Sequence, residues 1–249
     1  MLAVIGGSGL YGLDGLEAEE SQRAETRFGS TSGKLVRGSL AGSPTLFIAR
    51  HGEDHSVAPH LVNYRANVEA LKLAGATTVL AVCTSGSIDP GLLPGSVAVP
   101  DQIIDYTWGR EQTFHEPGDP VPHVDFTDPY SPAWRAEVVS ALADHGLSFR
   151  DGATYAAVQG PRFESAAEIR RFRNDGCTII GMTGMPEATL AREADLDYAA
   201  ICPIANLAAG LSPDELTAEE VFGKVGSMLG PIQELIALLA SRQRRPAEG

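Results

Sequence analysis

Seven short apolar runs recur along this chain, and they limit its possible folds more than any other feature of the sequence. Runs of this kind, bounded by turn residues, are typical of buried β-strands. They cover Leu2–Ile5, Thr45–Ala49, Val79–Cys83, Val97–Val99, Ala153–Val158, Ile179–Met182 and Ala199–Ile204. Because helical patterns separate them, the sequence predicts an α/β fold in which helices cover both faces of a central, largely parallel or mixed sheet.

The helical patterns carry recognisable end signals. Val62–Ala74 and Pro132–His145 are each followed by the glycine that commonly ends a helix. Capping boxes predict two further helices, which begin at about Ala166 and Ala218. No linker-like run interrupts the 249 residues, so residues 1–249 are predicted to form a single domain.

Charge and cysteine content argue against several classes of protein. A formal net charge of −13 opposes binding to a nucleic-acid backbone. Cys83, Cys177 and Cys202 are widely spaced, which predicts buried reduced thiols in place of a disulfide framework or a zinc site. The sequence shows neither a basic leader nor an apolar run of 18 residues. We therefore expect a cytoplasmic protein that binds no metal, nucleic acid or membrane.

A glycine-rich turn follows the first predicted strand. The run Val4–Gly12 satisfies the spacing GxGxxG, but a dinucleotide site also needs a helix that starts at the turn and a second parallel strand. Gly12 and Gly15 disrupt such a helix, and residues 26–50 are typical of antiparallel hairpins, so the dinucleotide interpretation fails. The N–H groups of the turn and the Ser8 hydroxyl fit either a phosphate-sized anion or a simple tight turn.

Two further predicted strands end in residues suited to anions. Arg50 and His51 follow Thr45–Ala49, and a guanidinium can clamp a phosphate through two parallel hydrogen bonds. Thr84 lies in a turn of small residues after the next buried strand, where α/β sheets commonly place ligands. With Ser8 as a partner, these residues predict a phosphate site.

Six ordered motifs, spread over about residues 1–240, resemble those of the trimeric purine nucleoside phosphorylases, and especially of their methylthioadenosine phosphorylase branch. The motifs are IGGSGLYG, ARHGEDHSVAPHLVNYRANVEALK, TSGSI, QGPRFES, GMTGMPEATLARE and IANLAAG. The resemblance implies a nucleoside phosphorylase fold, with a mixed, partly barrel-like sheet flanked by helices. It also implies a homotrimer or a dimer of trimers, and reversible cleavage of a purine nucleoside by orthophosphate as co-substrate, without a cofactor.

The resemblance also assigns roles to residues. Phosphate would be held by Ser8, Arg50, His51, Thr84 and Thr183. Met182 would lie under the ribose, and Phe163 would pack against the purine. In the family, a loop of the neighbouring subunit covers the 5′ end of the sugar. The candidate here is the segment Trp108–Pro132, rich in Pro, Gly, His and aromatic residues, with His115 and His123.

The chemistry of the reaction is consistent with these residue types. Cleavage of an N-glycosidic bond builds positive charge on the sugar and negative charge on the departing purine, so a site must stabilise both and bring phosphate to C1′. Phosphate held by Arg50 and His51 supplies proximity and ion pairing, and a donor to the purine N7 assists departure. Asn206 is the predicted donor. The candidate catalytic residues are therefore Arg50, His51 and Asn206.

Three residues depart from the adenine-specific branch, and two of them, Glu164 and Asn206, predict the base. Those relatives carry a small hydroxyl residue in place of Glu164 and aspartates in place of Asn206 and Ala208, whereas 6-oxopurine nucleoside phosphorylases carry the pair Glu164 and Asn206. An ionised Glu164 accepts a hydrogen bond from N1–H of a 6-oxopurine, and the Asn206 amide donates to N7 or O6. Adenine would place a lone pair against the carboxylate, a mismatch that can discriminate by about 10⁴-fold.

The sequence therefore predicts a purine-salvage pentosyltransferase that acts on 5′-methylthioinosine, or on inosine and guanosine. Two alternatives stay open: a 5′-methylthioadenosine phosphorylase, if Glu164 is protonated or turned away, and a non-catalytic purine-binding protein. Glu187 and Glu193 are expected to cap and solvate a short helix, without a catalytic role. The apolar residues of Ala218–Arg242 are expected to pack in the core, with Val221 also near the 5′ group.

Overall fold

Twelve of the fourteen described strands join in one mixed sheet in the computed structural model, which describes residues 1–212 and 217–243. The strands are β1 (Leu2–Gly6), β2 (Glu17–Gln22), β3 (Glu25–Thr26), β4 (Gly29–Ser30), β5 (Leu35–Leu40), β6 (Ser43–Ala49), β7 (Thr78–Val82), β8 (Ser85–Ser87), β9 (Val97–Val99), β10 (Gln102–Asp105), β11 (Phe149–Asp151), β12 (Thr154–Ala157), β13 (Ile179–Gly181) and β14 (Asp197–Leu207). The helices are α1 (Tyr64–Leu73), α2 (Pro132–His145), α3 (Ala166–Asn174), α4 (Gly184–Glu193) and α5 (Ala218–Arg242), with a 3₁₀ turn at Pro59–Leu61.

The large sheet runs in the order β10-β12-β13-β8-β14-β7-β1-β6-β5-β2. β6, β1, β7 and β14 are mutually parallel along this path, and β12 is parallel to β13. β8 joins the two groups, because it pairs parallel to β14 on one side and antiparallel to β13 on the other. β9 pairs with β11 and β14 beside this path, and β3 pairs with β4 in a separate hairpin.

Two helical layers bury opposite faces of the parallel strands. Successive residues of a strand point to opposite faces, and in β1 Ala3 and Ile5 pack in one core with α1 and α4, whereas Leu2 and Val4 pack in another with α2 and α5. Both faces of β1 are therefore buried, which explains its continuous apolar sequence.

The helix ends follow the local signals of the sequence. Ser131 caps α2 by accepting a hydrogen bond from Trp134 N, and Gly146 ends that helix with a φ of 79°. Ser165 opens α3 with a complete capping box, and Thr217 caps α5 by accepting from Glu220 N. The four predicted helices are confirmed.

The predicted α/β class and the seven buried strands are also confirmed, with ends that shift by at most three residues. The antiparallel hairpin that replaces a dinucleotide fold is present as β5 and β6. The sequence did not indicate β2, because all six of its residues are exposed and it has no apolar face to give a periodic pattern. The C-terminal stretch packs in the core as predicted, with Ile232, Leu235 and Leu239 fully buried or nearly so.

The three cysteines are buried and free, as predicted. The described residues contain no group of three or more His, Cys, Asp or Glu side chains placed to hold a metal ion. None of the described helices combines the length and apolarity needed to cross a membrane. Residues 106–131 form neither strand nor helix, and this long segment packs Phe114 and Phe126 against the core.

Candidate active site

All nine residues predicted for phosphate, ribose and base line one cavity of about 240 Å³. They are Ser8, Arg50, His51, Thr84, Phe163, Glu164, Met182, Thr183 and Asn206. The cavity thus collects residues from six separate parts of the chain, and the roles assigned to them stay predictions.

The topology explains why these residues meet. β1, β6 and β7 are parallel neighbours, so the turns that follow them and carry Ser8, Arg50 and Thr84 lie at one edge of the sheet. β13 runs antiparallel to β8 with Ile180 opposite Gly86, which brings the residues after β13 back to this edge. The cavity therefore lies where the two parallel groups of strands meet.

The turn after β1 packs directly on Arg50. Leu10 N donates to Gly7 O at 3.0 Å and closes the turn, and Gly9 has a φ of 87°. A Cβ atom on Gly7 would lie 2.3 Å from the Val82 carbonyl oxygen and 3.2 Å from Arg50 Nη1. Glycine is required there because the backbone touches both its neighbouring strand and the guanidinium.

Arg50 forms a fully buried ion pair with Glu187 of α4. Arg50 Nε donates to Glu187 Oε2 at 2.7 Å and Nη2 donates to Oε1 at 2.9 Å, while the side chains are 0% and 1% exposed. Tyr198 Oη also donates to Glu187 Oε1 at 2.9 Å. The expectation that Glu187 solvates a short helix is therefore wrong, since α4 turns this carboxylate into the core. The sequence carried no local signal for the pair, because its partners are 137 positions apart.

The ion pair limits what Arg50 can offer an anion. The two parallel hydrogen bonds expected for phosphate are made to Glu187, so that part of the prediction is wrong for this conformation. Nη1 donates to Val82 O at 3.0 Å and Nη2 contacts Cys83 Sγ at 3.6 Å. A guanidinium has five N–H groups, so one Nη1 N–H, beside the glycine turn, has no acceptor among the described residues. Burial alone would lower the pKa of Arg50, but the Glu187 carboxylate raises it well above its ordinary value.

His51 is neutral in the free site. Burial, and then the positive charge of Arg50, lower its pKa to about 4. Nδ1 lies 2.8 Å from the Val57 carbonyl oxygen, and because a carbonyl only accepts, Nδ1 carries the proton. Nε2 is then an acceptor, suited to a phosphate oxygen that bears a proton.

Two threonines complete the predicted anion site. Thr84 Oγ1 is buried and has no hydrogen-bond partner among the described residues. Thr183 is 7% exposed and precedes α4. A buried hydroxyl without a partner is costly, so the Thr84 side chain supports the presence of a ligand at this position.

The base wall combines an amide and a carboxylate. Asn206 Nδ2 donates to Leu207 O at 2.8 Å, which fixes the orientation of the amide and leaves its second N–H available. Glu164 is half-buried, and burial raises the pKa of its carboxyl above the ordinary value. Phe163 packs near Val221 and Val225 of α5. The described geometry thus places a donor, an acceptor and an aromatic ring around one space.

Another wall of the cavity is apolar, and of its residues only Val221 was predicted from the sequence to lie near the site. Pro59, Ala218, Val221 and Phe222 line it together with His55. The His55 ring stacks on His51 with centroids 5.0 Å apart and meets the edge of Phe222 at 5.4 Å. Phe222 was expected in the core, but its side chain is 46% exposed because it faces this cavity.

The histidines of the long segment lie elsewhere. Neither His115 nor His123 lines the cavity. His115 instead lines a second cleft, with Phe114, Leu73 and Glu193 among its neighbours. Their predicted role over the sugar of a neighbouring subunit therefore needs a second copy of the chain.

Known proteins resemble this chain over most of its length. A family model described as the phosphorylase superfamily matches residues 1–228. A probable S-methyl-5′-thioinosine phosphorylase of Xanthomonas campestris pv. campestris is 49% identical over 241 residues, 96% of each chain. A 6-oxopurine nucleoside phosphorylase of Pyrococcus furiosus is 40% identical over 88% of this chain and 84% of its own. The structure of methylthioadenosine phosphorylase from Schistosoma mansoni with adenine superimposes with a TM-score of 0.92 at 28% identity, over 97% of this chain and 91% of that one.

The buried ion pair gives a first prediction. The substitution Glu187→Gln keeps the size of the side chain but leaves the Arg50 charge buried without a counter-charge, so it should lower the free energy of unfolding by about 3–5 kcal/mol. Denaturant unfolding would measure this loss. The matched control is Glu116→Gln, which removes the same charge from the partly exposed pair with Arg65 and should cost about 1 kcal/mol or less. Equal losses in the two variants would contradict the importance of the buried pair.

Proposed function

This chain belongs to the phosphorylase superfamily, and we propose that it is a 6-oxopurine nucleoside phosphorylase that uses orthophosphate and no cofactor. The observation that supports this most is the shared cavity, in which an anion site adjoins a wall built for a purine. Its relatives named as phosphorylases are consistent with an enzyme that transfers a pentosyl group.

The proposed reaction follows from the two sides of the cavity. A phosphate oxygen attacks C1′ of the sugar while the N-glycosidic bond breaks, and the bonding electrons leave with the purine. Arg50, with one free N–H, and the hydroxyls of Ser8 and Thr84 hold the phosphate, which stabilises the positive sugar by proximity. His51 accepts a hydrogen bond from the protonated phosphate oxygen. The second N–H of Asn206 donates to N7 and stabilises the departing base.

The base preference depends on the charge of Glu164. As a carboxylate, Glu164 accepts a hydrogen bond from N1–H of hypoxanthine or guanine, whereas adenine offers only a lone pair at N1. The raised pKa of Glu164 supports one alternative, because a protonated Glu164 would donate to N1 of adenine. Methylthioadenosine phosphorolysis is therefore the second candidate activity, and it would grow as the pH falls.

The apolar wall favours a 5′-methylthio substituent over a 5′-hydroxyl. Pro59, Ala218, Val221 and Phe222 offer carbon surface where a hydroxyl would lose hydrogen bonds to water. The name of the Xanthomonas relative points in the same direction. We therefore propose 5′-methylthioinosine as the preferred substrate, with hypoxanthine and 5-methylthioribose 1-phosphate as products and purine salvage as the role.

The assembly and location are part of the proposal. A homotrimer would let the segment 106–131 of one subunit cover the sugar in the next. Trp108 of that segment is 71% exposed in the single chain, and aromatic side chains are enriched in protein interfaces. We propose that the enzyme works in the cytoplasm and binds neither nucleic acid nor membrane.

Exchange of the two base-wall residues tests the recognition mechanism. The double variant Glu164→Ser with Asn206→Asp should shift the ratio of kcat/KM for methylthioinosine to that for methylthioadenosine by about 100-fold or more toward the adenine nucleoside. The control makes the same chemical changes at exposed positions, Glu19→Ser with Asn174→Asp, and should keep the wild-type ratio. A base-wall variant with unchanged selectivity would rule out this recognition mechanism.

The raised pKa of Glu164 predicts a pH-dependent selectivity. A carboxyl group with a raised pKa keeps its proton to a higher pH than usual, so acidification should convert Glu164 from acceptor to donor. The preference for methylthioinosine over methylthioadenosine should therefore fall from mildly alkaline to mildly acidic pH, because the pKa of Glu164 lies above its ordinary value. In Glu164→Gln the ratio should be independent of pH, because the amide both donates and accepts. A wild-type ratio that is constant over this range would contradict the prediction.

A further inference from the structure

One side chain of the segment 106–131 reaches the cavity walls from outside. Arg110 is half-buried and does not line the cavity itself. Its guanidinium donates to six acceptors, all of them neutral. A guanidinium has five N–H groups, so Arg110 uses its full capacity on the protein, with one hydrogen shared.

The first set of acceptors precedes the purine wall. Arg110 Nη2 donates to Val158 O at 3.2 Å and to Gln159 O at 2.9 Å, and Nε donates to Gln159 Oε1 at 3.3 Å. These two residues follow β12 and lead into the stretch that carries Phe163 and Glu164. Arg110 therefore anchors the backbone segment that leads into the purine wall.

The second set flanks the ribose and phosphate side. Arg110 Nη1 donates to Met182 O at 2.9 Å and to Met185 O at 2.6 Å. Between these residues lies Thr183, which was predicted to bind phosphate. Met185 is not helical, with φ −120° and ψ 142°, so its carbonyl points away from the regular bonding of α4 and accepts a hydrogen bond from Arg110.

The last acceptor belongs to a third wall. Arg110 Nη1 lies 3.2 Å from Tyr64 Oη, and Tyr64 Oη donates to Pro59 O at 2.9 Å. The guanidinium carbon also lies 5.5 Å from the centroid of the Tyr64 ring. Met182 lines the ribose side of the cavity and Pro59 its apolar side. Arg110 therefore contacts one wall directly, at Met182, and the other two through Tyr64 and through the residues that lead into Phe163.

We infer that Arg110 is a positioning residue that fixes the purine, ribose and apolar walls of the cavity relative to one another. Carbonyl groups just beyond the ends of strands have left the hydrogen-bonding ladder, and a planar fork of donors can hold several of them at defined angles. Lysine cannot replace it, because one ammonium group has three donors at a single point. The kinetic part of this inference rests on the proposed function, whereas the binding part does not.

The test compares Arg110→Met with Arg135→Met. Arg135 also donates to two carbonyls at a strand end, Val99 O at 3.1 Å and Pro100 O at 3.0 Å, but it lies outside the cavity. Calorimetric titration with hypoxanthine and with adenine measures base binding, steady-state assays measure both KM values and kcat, and thermal unfolding measures stability. Arg110→Met should weaken binding of the preferred base and raise the nucleoside KM by about 10-fold or more. Arg135→Met should stay within about 2-fold of the wild type in both.

Rescue separates positioning from general stability. In Arg110→Ala, guanidinium added at millimolar concentration should restore part of the affinity for the base. In Arg110→Lys, the affinity for the base should stay well below that of the wild type. Base binding by Arg110→Met within about 2-fold of the wild type would overturn the inference, as would equal losses in Arg135→Met. If Arg110→Met does not fold, binding by Arg110→Lys equal to that of the wild type overturns it, and a 10-fold loss supports it. A wild-type protein that binds a base but shows no phosphorolysis would refute the proposed function, and the titrations would still decide the role of Arg110.

Discussion

The buried contact between Arg50 and Glu187 is the interaction on which the candidate site depends. It joins the end of β6 to α4, and the same two side chains reach the Val82 carbonyl at the end of β7 and the Tyr198 hydroxyl on β14. Removing two charges from water is costly unless each is paired and hydrogen-bonded. Here the carboxylate accepts three hydrogen bonds, and the guanidinium donates to four acceptor atoms, two of them on that carboxylate. The pair thereby sets the place and direction of the one N–H that remains for an anion.

The charges around the cavity account for how a strongly anionic chain could bind phosphate. Arg50 is compensated by Glu187, and His51 is neutral at pH 7, so the free site holds little net charge. In the proposed mechanism, phosphate binding therefore relies on directed donors, such as the Ser8 and Thr84 hydroxyls and the N–H groups of the glycine turn, more than on a surplus of positive charge. Glu164 stands on a different wall, where its charge can select the base.

The fold was largely accessible from local patterns in the sequence, whereas Phe163, Met182 and Thr183 were assigned to the site by the resemblance to a known family. Buried strands give apolar runs, helix caps give short motifs, and the residues after parallel strands meet at one edge. Glu187 and Arg110 were missed, since their partners are distant in sequence and their residue types equally suit a solvated surface. The strand β2 was also missed, because all of its residues are exposed and give no apolar pattern. The sequence also could not predict which N–H group of Arg50 stays free, because this depends on how β1, β6, β7 and α4 pack together.

Release of the purine base is the measurement that tests the account most directly. Methylthioinosine, inosine, guanosine and methylthioadenosine would each be incubated with the protein, with and without orthophosphate, and the free base and sugar phosphate quantified. The account predicts hypoxanthine release that requires orthophosphate, forms 5-methylthioribose 1-phosphate in equal amount and is fastest with methylthioinosine. Preferential release of adenine at neutral pH, or release that does not depend on orthophosphate, would contradict it.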